Sequence, residues 1–562
     1  MNDVAKNYND LYELGNKISR VYTARTLAAQ KNFVESLVAA GKKHPSPQQV
    51  NAEEVWLAAS NYVTDWMQRW VLFSDTLRQR GNTFIAHERA GKPPLLAYDY
   101  ETILDGRELA RPVNYALVRI IPPEGVTVDD KKRPFIIIDP RAGHGPGIGG
   151  FKQDSQVGVA LKAGHPVYFV IFFARPEPGQ TLPDVCEAEA RFIEAVVERH
   201  ADSPKPVIVG NCQGGWATMM LAAARPDITG PVVINGAPMS YWSGSWQGGA
   251  GENPMRYAGG LLGGSWSALF ASDLGNGVFD GAHLVANFEY LNPANTLWTK
   301  YYNLFANVDA EPPRFLGFEK WWGGYSLMNE TEIRWIVDNL FVGNRLARGD
   351  AQAAPHSFID LKAVRSPIIV FSSAGDNITP PQQALNWIAD AYSSTEEIKA
   401  NGQVIVGLFH EDVGHLGIFV SGRVAKKEHA QIVEVLKYIE SLRPGLYVME
   451  IKETFLLSDV AASYVEYRTF QHPHGNGLMR GREAPRGRLF PPPGARRPHR
   501  RAVDALQLLV DRARRDKRRL QAMQNLGERP VGIPLIEHPP SHFPGAKHLW
   551  QVAPRSPGPK HS

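Results

Sequence analysis

The sequence contains only two cysteines in 562 residues, Cys186 and Cys212. Two cysteines cannot form a disulfide framework, and there is no CxxC pair and no Cys/His cluster of the kind that binds zinc. We therefore expect neither a disulfide-stapled fold nor a metal site. For Cys186 the simplest interpretation is a small buried hydrophobic residue.

Long apolar runs are also lacking. The longest, from Val167 to Ala174, is far shorter than the ~20 residues that a membrane helix needs. The N-terminal segment MNDVAKNYND has no apolar core and no small-residue cleavage site, so it does not have the pattern of a secretory signal. We therefore expect no transmembrane segment and a cytoplasmic protein.

Strong charge of one sign is missing from the chain as a whole, because its net charge at pH 7 is only +4. The charges are unevenly placed: residues 471–562 carry a local charge of +12, which leaves −8 for residues 1–470. A basic arm can bind nucleic acid, but this tail also has the Pro, Gly and Arg content of a disordered segment. The abrupt change of composition favours a disordered or frameshifted tail over residues 469–562, and we expect no nucleic-acid partner.

Hydrophobic periodicity divides the sequence into regions. Apolar residues recur at helical spacing near the N-terminus, and one such stretch is predicted to end at Gly81 as a helix C-cap. Further on, continuous apolar runs alternate with helical segments, which is typical of a parallel sheet covered on both faces. The predicted regions are a helical N-terminal region at 1–95, two parts of an α/β core at 96–238 and 351–468, a Gly/Trp-rich cap insertion at 239–350, and the tail at 469–562.

The centre of the predicted core is the segment PVIVGNCQGGW around Cys212. An apolar run predicts a strand before it, small residues predict a helix after it, and the pattern G-x-C-x-G lies on the turn between them. A side chain held at such a turn has a strained backbone, so its neighbours two positions away must lack a bulky Cβ. This is the nucleophile elbow of an α/β-hydrolase fold with Cys in place of Ser, and the N–H of Gln213 is then a candidate oxyanion donor.

Two later segments offer an acid and a base. Asp376 and His415 each follow a predicted buried strand, at the strand ends where α/β sheets place catalytic groups. The order Cys, Asp, His is the order of the α/β-hydrolase fold. His415 would take the proton of the thiol, and Asp376 would orient its ring. Asp338 and His410 are the alternatives, and His415 is preferred because the glycines beside it leave room for the ring to reach inward.

A glycine-rich loop, PRAGHGPGIGGF, follows the predicted strand that ends at Asp139. Residues 145–150 match G-x-G-x-x-G, but the next strand does not end in the acidic residue that would bind a ribose, which argues against a dinucleotide site. In hydrolase-like sheets this loop supplies the second oxyanion N–H, so Ala142 or Gly143 is the candidate donor. His144 is interpreted as a loop histidine.

Several segments resemble polyhydroxyalkanoate synthases. GNCQGGW, SSAGDNITPP and VGHLGIFVSG are similar to their lipase-like box, acidic loop and catalytic histidine segment, and HPVYFVIFFARPEPG is similar to one of their core strands. Over residues 1–470 the chain resembles an uncharacterised bacterial family often labelled 3-hydroxyalkanoate synthetase. The resemblance implies an α/β-hydrolase-fold acyltransferase that builds a polyester from hydroxyacyl-CoA thioesters, with Cys212 as nucleophile, Asp376 as carboxylate and His415 as base.

The substrate implied is an acyl-CoA or a polyester, with no bound cofactor, and a homodimer is left open. Attack of a thiolate on a thioester conserves the thioester energy, so the acyl-enzyme could acylate either a hydroxyl or water. Exclusion of water by the cap decides between the two. A thioesterase or depolymerase is therefore the alternative enzyme, and an inactive granule-associated scaffold is the non-enzymatic alternative.

Overall fold

The computed structural model describes residues 52–241, 264–354, 357–457 and 460–469, together with single helical positions between 16 and 35. The described residues fall into two compact units, one that ends at Leu72 and one that begins at Phe73. The predicted tail lies outside the described residues apart from Thr469, and so does the part of the predicted cap between residues 242 and 263. The predicted region boundaries remain predictions.

The first long element is helix α1, Ala52–Arg89. The prediction that this helix stops at Gly81 is wrong. The chain leaves this helix where its backbone turns to positive φ, at Gly91 with φ 77° and Lys92 with φ 54°. There the N–H of Lys92 donates to the carbonyl of His87 and that of Gly91 donates to Glu88, which caps the last turn. Gly81 continues the helix because a glycine alone weakens a helix without ending it.

One sheet of ten strands organises the second unit. Its strands are β1 (Tyr100–Asp105), β2 (Tyr115–Ile120), β3 (Phe135–Ile138), β4 (Val167–Phe172), β5 (Val207–Asn211), β6 (Val232–Asn235), β11 (Ile368–Ser373), β12 (Val404–His410), β13 (Gly445–Leu457) and β14 (Val460–Thr469). They lie in the order β1-β2-β4-β3-β5-β6-β11-β12-β13-β14. From β4 to β13 each neighbouring pair is parallel, and the pairs at the two edges are antiparallel.

Helices cover both faces of the sheet. Successive residues of a strand point to opposite faces, so Val207 belongs to one apolar cluster and Ile208 to another. Val157 of helix α2 (Gln156–Lys162) packs in the first cluster, and Phe192 of helix α3 (Leu182–Arg199) packs in the second. The predicted α/β-hydrolase fold, a mostly parallel sheet between two helical layers, is therefore confirmed.

The remaining elements follow from the elbow onward. The further α-helices of the described ranges are α4 (Gln213–Ala224), α5 (Trp266–Leu274), α6 (Ala282–Tyr290), α7 (Lys300–Ala306), α8 (Pro312–Trp322), α9 (Glu330–Ile336), α10 (Pro381–Leu385), α11 (Trp387–Ala391), α12 (Thr395–Ala400), α13 (His415–Val420), α14 (Gly422–Val424) and α15 (Ala430–Ile439). The small strand pairs are β7 (Val278–Asp280) with β8 (Leu327–Asn329), and β9 (Gln352–Ala354) with β10 (Ser357–Phe358). Helices α5 to α9 thus fall in the predicted cap, between β6 and β11.

Replacement of Gly214 by alanine tests how closely helix α4 must approach the sheet. A Cβ at Gly214 would lie 2.4 Å from the carbonyl oxygen of Ile138, so the backbone would have to shift. We expect Gly214→Ala to lower the free energy of unfolding by about 1–3 kcal/mol, the usual cost of overpacking. The matched control is Gly317→Ala in helix α8, where nothing lies within 4 Å of the added Cβ. Thermal unfolding should show a lower midpoint for Gly214→Ala alone, and equal midpoints would contradict the close approach.

Candidate active site

The elbow has the strained backbone that the sequence predicts. Cys212 lies between β5 and α4 with φ 49° and ψ −119°, a conformation rarely adopted by residues other than glycine. Its N–H donates to the carbonyl of Asn235 over 2.8 Å, which fixes the turn to strand β6. A Cβ at Gly210 would lie 2.6 Å from the carbonyl oxygen of Gly214, so both glycines of the G-x-C-x-G pattern are required by space.

The structure brings the predicted acid and base together beside Cys212. Asp376 follows β11, and His415 begins helix α13 after β12. Because β11 and β12 are parallel neighbours, both residues lie beyond the carboxyl ends of these strands. Nδ1 of His415 lies 2.7 Å from Oδ2 of Asp376. The other carboxylate oxygen of Asp376 accepts the N–H groups of Ile378 at 2.9 Å and Thr379 at 2.7 Å, which fixes its orientation. Cys212 is close enough to His415 to influence the pKa of its ring.

The charges around His415 favour its protonated form. Burial by itself lowers the pKa of the ring, but the charge of Asp376, the charge of Cys212 and the hydrogen bonds to both outweigh it, and they raise the pKa to about 10. A histidine can hold a proton taken from a thiol when a carboxylate contacts one of its ring nitrogens and the thiol lies near the ring. The roles of the three residues stay predictions, but their geometry fits them.

The two alternative residues lie elsewhere. Asp338 is in the helical stretch Val337–Phe341 that follows α9. His410 ends strand β12, and its Nδ1 accepts the N–H of Asp412 at 3.2 Å and of Val413 at 3.3 Å. The ring nitrogen of His410 that accepts these two bonds is therefore engaged within its own loop. Between the two histidines and the two acids, the geometry favours His415 and Asp376.

The three candidate oxyanion donors, the N–H groups of Gln213, Ala142 and Gly143, also lie beyond the carboxyl ends of sheet strands. Gln213 is the first residue of α4, so its N–H has no carbonyl in a preceding turn to bond to. No described residue accepts a hydrogen bond from the N–H of Ala142 or Gly143. The loop that carries them is tied to the cap, because the N–H of Ser326 donates to the carbonyl of Gly143 over 2.9 Å. Their role as donors remains a prediction.

The glycine-rich loop has a structural partner that the sequence interpretation missed. The N–H groups of Gly147 and Gly149 donate to the carboxylate of Asp139, at 2.7 and 3.2 Å. Asn211, next to the nucleophile, donates to the same carboxylate at 3.2 Å. Burial raises the pKa of Asp139 to about 6, against these hydrogen bonds, which lower it. The G-x-G-x-x-G match is thus explained by a loop folded around its own aspartate, two of whose N–H groups are unavailable to a phosphate.

His144 has a packing role in the same loop. Its ring centroid lies 3.9 Å from that of Trp321 on helix α8. Burial lowers the pKa of His144 to about 4, so the ring is neutral at pH 7. This placement agrees with the interpretation of His144 as a loop histidine.

A buried ion pair joins the loop to the cap, and the sequence interpretation did not identify it. Nη1 of Arg141 lies 2.6 Å from Oε1 of Glu332 at the start of α9, and Nη2 donates to the carbonyl of Leu327 over 2.6 Å. Gln180 donates to the same Glu332 oxygen at 2.7 Å. Arg141 is therefore held directly before the two candidate oxyanion donors, Ala142 and Gly143. No feature of the sequence pairs residues 191 positions apart.

A cavity of about 40 Å³ adjoins the elbow, and we call it the polar cavity after the polar side chains that interrupt its mostly apolar lining. The apolar lining includes Leu182 and Met220, and the side chains that carry polar groups are Tyr115, Asp139, Arg141, Glu189, Gln213, Trp216 and Glu332. Glu189 lies on the buried face of α3 and makes no hydrogen bond or ion pair with a described residue, and burial raises its pKa to about 8. The sequence gives one indication of this role for Glu189. A glutamate occupies a position of helix α3, four residues after Val185, where the helical periodicity predicts an apolar side chain.

Within the described ranges, no three His, Cys, Asp or Glu side chains gather in a geometry that could hold a metal ion. In the same ranges, no helix is both long enough and apolar enough to cross a bilayer.

Replacement of Asp376 by asparagine tests the role of its charge. Without the carboxylate the pKa of His415 should fall by about 1–3 units, because an opposite charge at contact distance shifts a pKa by that much. We expect alkylation of Cys212 by iodoacetamide at pH 7 to slow by about 10- to 1,000-fold, since the thiolate is the reactive form. Peptide mass spectrometry would follow Cys212 separately from Cys186. Asp338→Asn is the control, and equal rates in wild type and Asp376→Asn would contradict the assignment.

Glu189 should make stability fall as the pH rises. Its pKa of about 8 in the folded protein lies above the ordinary value of 4.5. The unfolded chain therefore releases this proton more readily, so the contribution of Glu189 to stability is greatest below pH 4.5 and is lost as the pH rises towards and through 8. Glu189→Gln cannot ionise and should lack this loss, so unfolding midpoints of the variant and the wild type should diverge between about pH 4.5 and 8 and keep a constant difference above pH 8. Parallel curves would show that Glu189 does not titrate in the folded state.

Comparison with known sequences gives both a near and a distant relative. The "Uncharacterized protein in ackA 5'region" of Rhizobium meliloti is 56% identical over 390 residues, which are 69% of this chain and 53% of that protein. The chain thus spans about half the length of this relative. The "Poly(3-hydroxyalkanoate) polymerase subunit PhaC" of Synechocystis sp. is 25% identical over 284 residues, 48% of this chain and 69% of that protein. This distant similarity supports the predicted resemblance to polyhydroxyalkanoate synthases.

Among solved structures, the monoacylglycerol lipase of Paleococcus ferrophilus is similar over 58% of this chain and 99% of its own, with 14% identity and a TM-score of 0.34. A family model described as "Protein of unknown function (DUF3141)" matches residues 65–471. This match covers the described elbow, the acid and base, and the loop that follows β3. The chain therefore belongs to the DUF3141 family.

Proposed function

We propose that this protein is an acyltransferase that uses Cys212 to take the acyl group from a hydroxyacyl-CoA thioester. The observation that carries the proposal is the buried arrangement of Cys212 at a strained elbow, with His415 beside it and Asp376 held 2.7 Å from the ring. A strained turn persists only where the surrounding structure enforces it, and such turns are concentrated at active sites. The distant similarity to PhaC supports the choice of a hydroxyacyl substrate.

The reaction would proceed in two balanced steps. In the first, His415 holds the proton of the Cys212 thiol, and the thiolate attacks the acyl carbon. A bond forms between the sulfur and that carbon, the bond to the sulfur of CoA breaks, and CoA leaves with the proton from His415. In the second step the hydroxyl of an acceptor attacks the acyl-enzyme and gives its proton to His415. The Cys212 sulfur then leaves and recovers that proton, so the ester is formed without a cofactor.

The candidate oxyanion donors would act in both steps. Each attack places negative charge on the acyl oxygen, and the N–H groups of Gln213 and of Ala142 or Gly143 are available at this edge of the sheet. One such donor is typically worth about 3–4 kcal/mol of barrier. The ion pair of Arg141 with Glu332 would keep the loop donors in position, because it fixes the loop to the cap.

Burial of the site favours transfer over hydrolysis. Cys212 and His415 are each 5% exposed, and Asp376 is 1% exposed. An acyl-enzyme in such a site meets bound acceptors more readily than bulk water, because closure of a site expels solvent. The thiol makes ester formation energetically possible, since the acyl-enzyme keeps the energy of a thioester.

The test is turnover of 3-hydroxybutyryl-CoA by the full chain. We expect release of CoA together with an insoluble polyester or an ester of an added alcohol, and a rate at least about 10³-fold above that of Cys212→Ala, since loss of a nucleophile commonly costs this much. The thiol of CoA and the acyl products would be measured in the same samples. Circular dichroism of Cys212→Ala would show that the variant is folded.

Each other outcome has a definite meaning. Free 3-hydroxybutyrate without ester would show a thioesterase and overturn the transfer step. Release of CoA at the rate of Cys212→Ala would overturn the enzymatic proposal for this substrate and favour the inactive scaffold. Equal rates in wild type and His415→Gln would remove the base from the scheme.

A further inference from the structure

Four polar groups of the polar cavity lack partners. Nε of Arg141, Oε1 of Gln213 and Nε1 of Trp216 are buried and make no hydrogen bond with a described residue. The carboxyl of Glu189, in a residue that is 2% exposed, has no partner among the described residues either. Buried polar groups are nearly always hydrogen-bonded, and an exception requires an explanation. Two N–H donors, one amide oxygen and one carboxyl around the same space indicate an occupant that carries an oxygen.

The charge of the cavity limits this occupant to a neutral group. The guanidinium of Arg141 is balanced by Glu332 at 2.6 Å. Glu189 adds no full charge at pH 7, because burial raises its pKa to about 8. An anion would meet three acidic side chains, Asp139, Glu189 and Glu332, and a cation would meet Arg141, so a hydroxyl or carbonyl group fits best. An un-ionised carboxyl can both donate to and accept from a hydroxyl.

Position and size relate the cavity to the acyl group. Gln213 both lines the cavity and follows Cys212, while Arg141 directly precedes Ala142 and Gly143. The cavity is thus bounded by the two segments that carry the candidate oxyanion donors. Its volume of about 40 Å³ admits roughly three water molecules, since one water needs at least about 10–15 Å³. A group of a few heavy atoms fits, and a long alkyl chain does not.

We propose that the polar cavity is the subsite for the acyl group and that Glu189 selects short, neutral acyl groups that bear a hydroxyl or carbonyl oxygen. The inference rests on the proposed function and deepens it, because it names the residue that distinguishes a hydroxylated acyl group from a plain one. The hydroxyl of the acyl group would bond to Glu189 and Gln213. An acyl group without an oxygen would leave these buried groups unpaired, and sites of this kind reject such analogues strongly.

The experiment compares pairs of ligands that differ only in the hydroxyl. The first readout is the ratio of kcat/KM for 3-hydroxybutyryl-CoA over butyryl-CoA, in wild type, Glu189→Leu and Glu189→Gln. We expect Glu189→Leu to reduce this ratio by about 10- to 100-fold, while Glu189→Gln, which can still donate and accept, keeps most of it. The second readout measures binding without any reaction. Saturation-transfer NMR would compare the binding of 3-hydroxybutyramide and of butyramide to the same three proteins.

The two readouts separate the inference from the proposed function. In one outcome, wild type binds 3-hydroxybutyramide in preference to butyramide, with the preference lost in Glu189→Leu and kept in Glu189→Gln. This result would support the subsite even without release of CoA. Absence of CoA release would then contradict the acyl-transfer proposal alone. Release of CoA with the same substrate ratio in wild type and Glu189→Leu would retain the acyltransferase and overturn the subsite. Equal binding of the two amides by wild type would also overturn it and would leave water as the occupant. If Glu189→Leu fails to fold, the absence of a preference for 3-hydroxybutyramide over butyramide in both wild type and Glu189→Gln would likewise overturn the subsite.

Discussion

The close approach of helix α4 to the sheet is the constraint on which the rest of the site depends. A Cβ at Gly214 would lie 2.4 Å from the carbonyl oxygen of Ile138, and one at Gly215 would lie 2.3 Å from Cβ of Ala237. Because these positions are glycines, α4 begins directly above the strand ends and Cys212 is held at φ 49°. The same contact places Gln213 beside the loop after β3. The nucleophile, the candidate oxyanion donors and the polar cavity therefore all lie near the carboxyl ends of the central strands.

Buried charges around this edge are arranged in partnerships. Asp376 is satisfied by His415 and by two backbone N–H groups, and Asp139 by the glycine loop and Asn211. Arg141 is balanced by Glu332. Each partnership includes one contact between segments far apart in sequence, which makes the site and the fold interdependent. Removal of one partner would leave an uncompensated charge, which is costlier than the loss of the pair as a whole.

The sheet and the residues beside Cys212 could be predicted because each has a local sequence pattern. Strands buried on both faces have continuous apolar runs, and the elbow has glycines on either side of Cys212. The sequence did not predict the pairing of Arg141 with Glu332 or the isolation of Glu189, since both depend on which side chains tertiary packing brings together. The wrong helix end at Gly81 has a related cause: a glycine allows positive φ, but only the local hydrogen bonds, made at Gly91, decide where it occurs.

Glu189 is the residue that folding alone explains least. An acid buried without a partner lowers stability at neutral pH, and an apolar side chain of similar size at this place on α3 would be neutral or stabilising. Val185 and Phe192 on the same helix are apolar and buried, so the position itself accepts such a residue. Proteins tolerate costs of this kind at functional sites, where a local rule is broken for the sake of activity. The unpaired carboxyl thus argues that this part of α3 faces a ligand, and its neighbour in the cavity, Gln213, connects that ligand to Cys212.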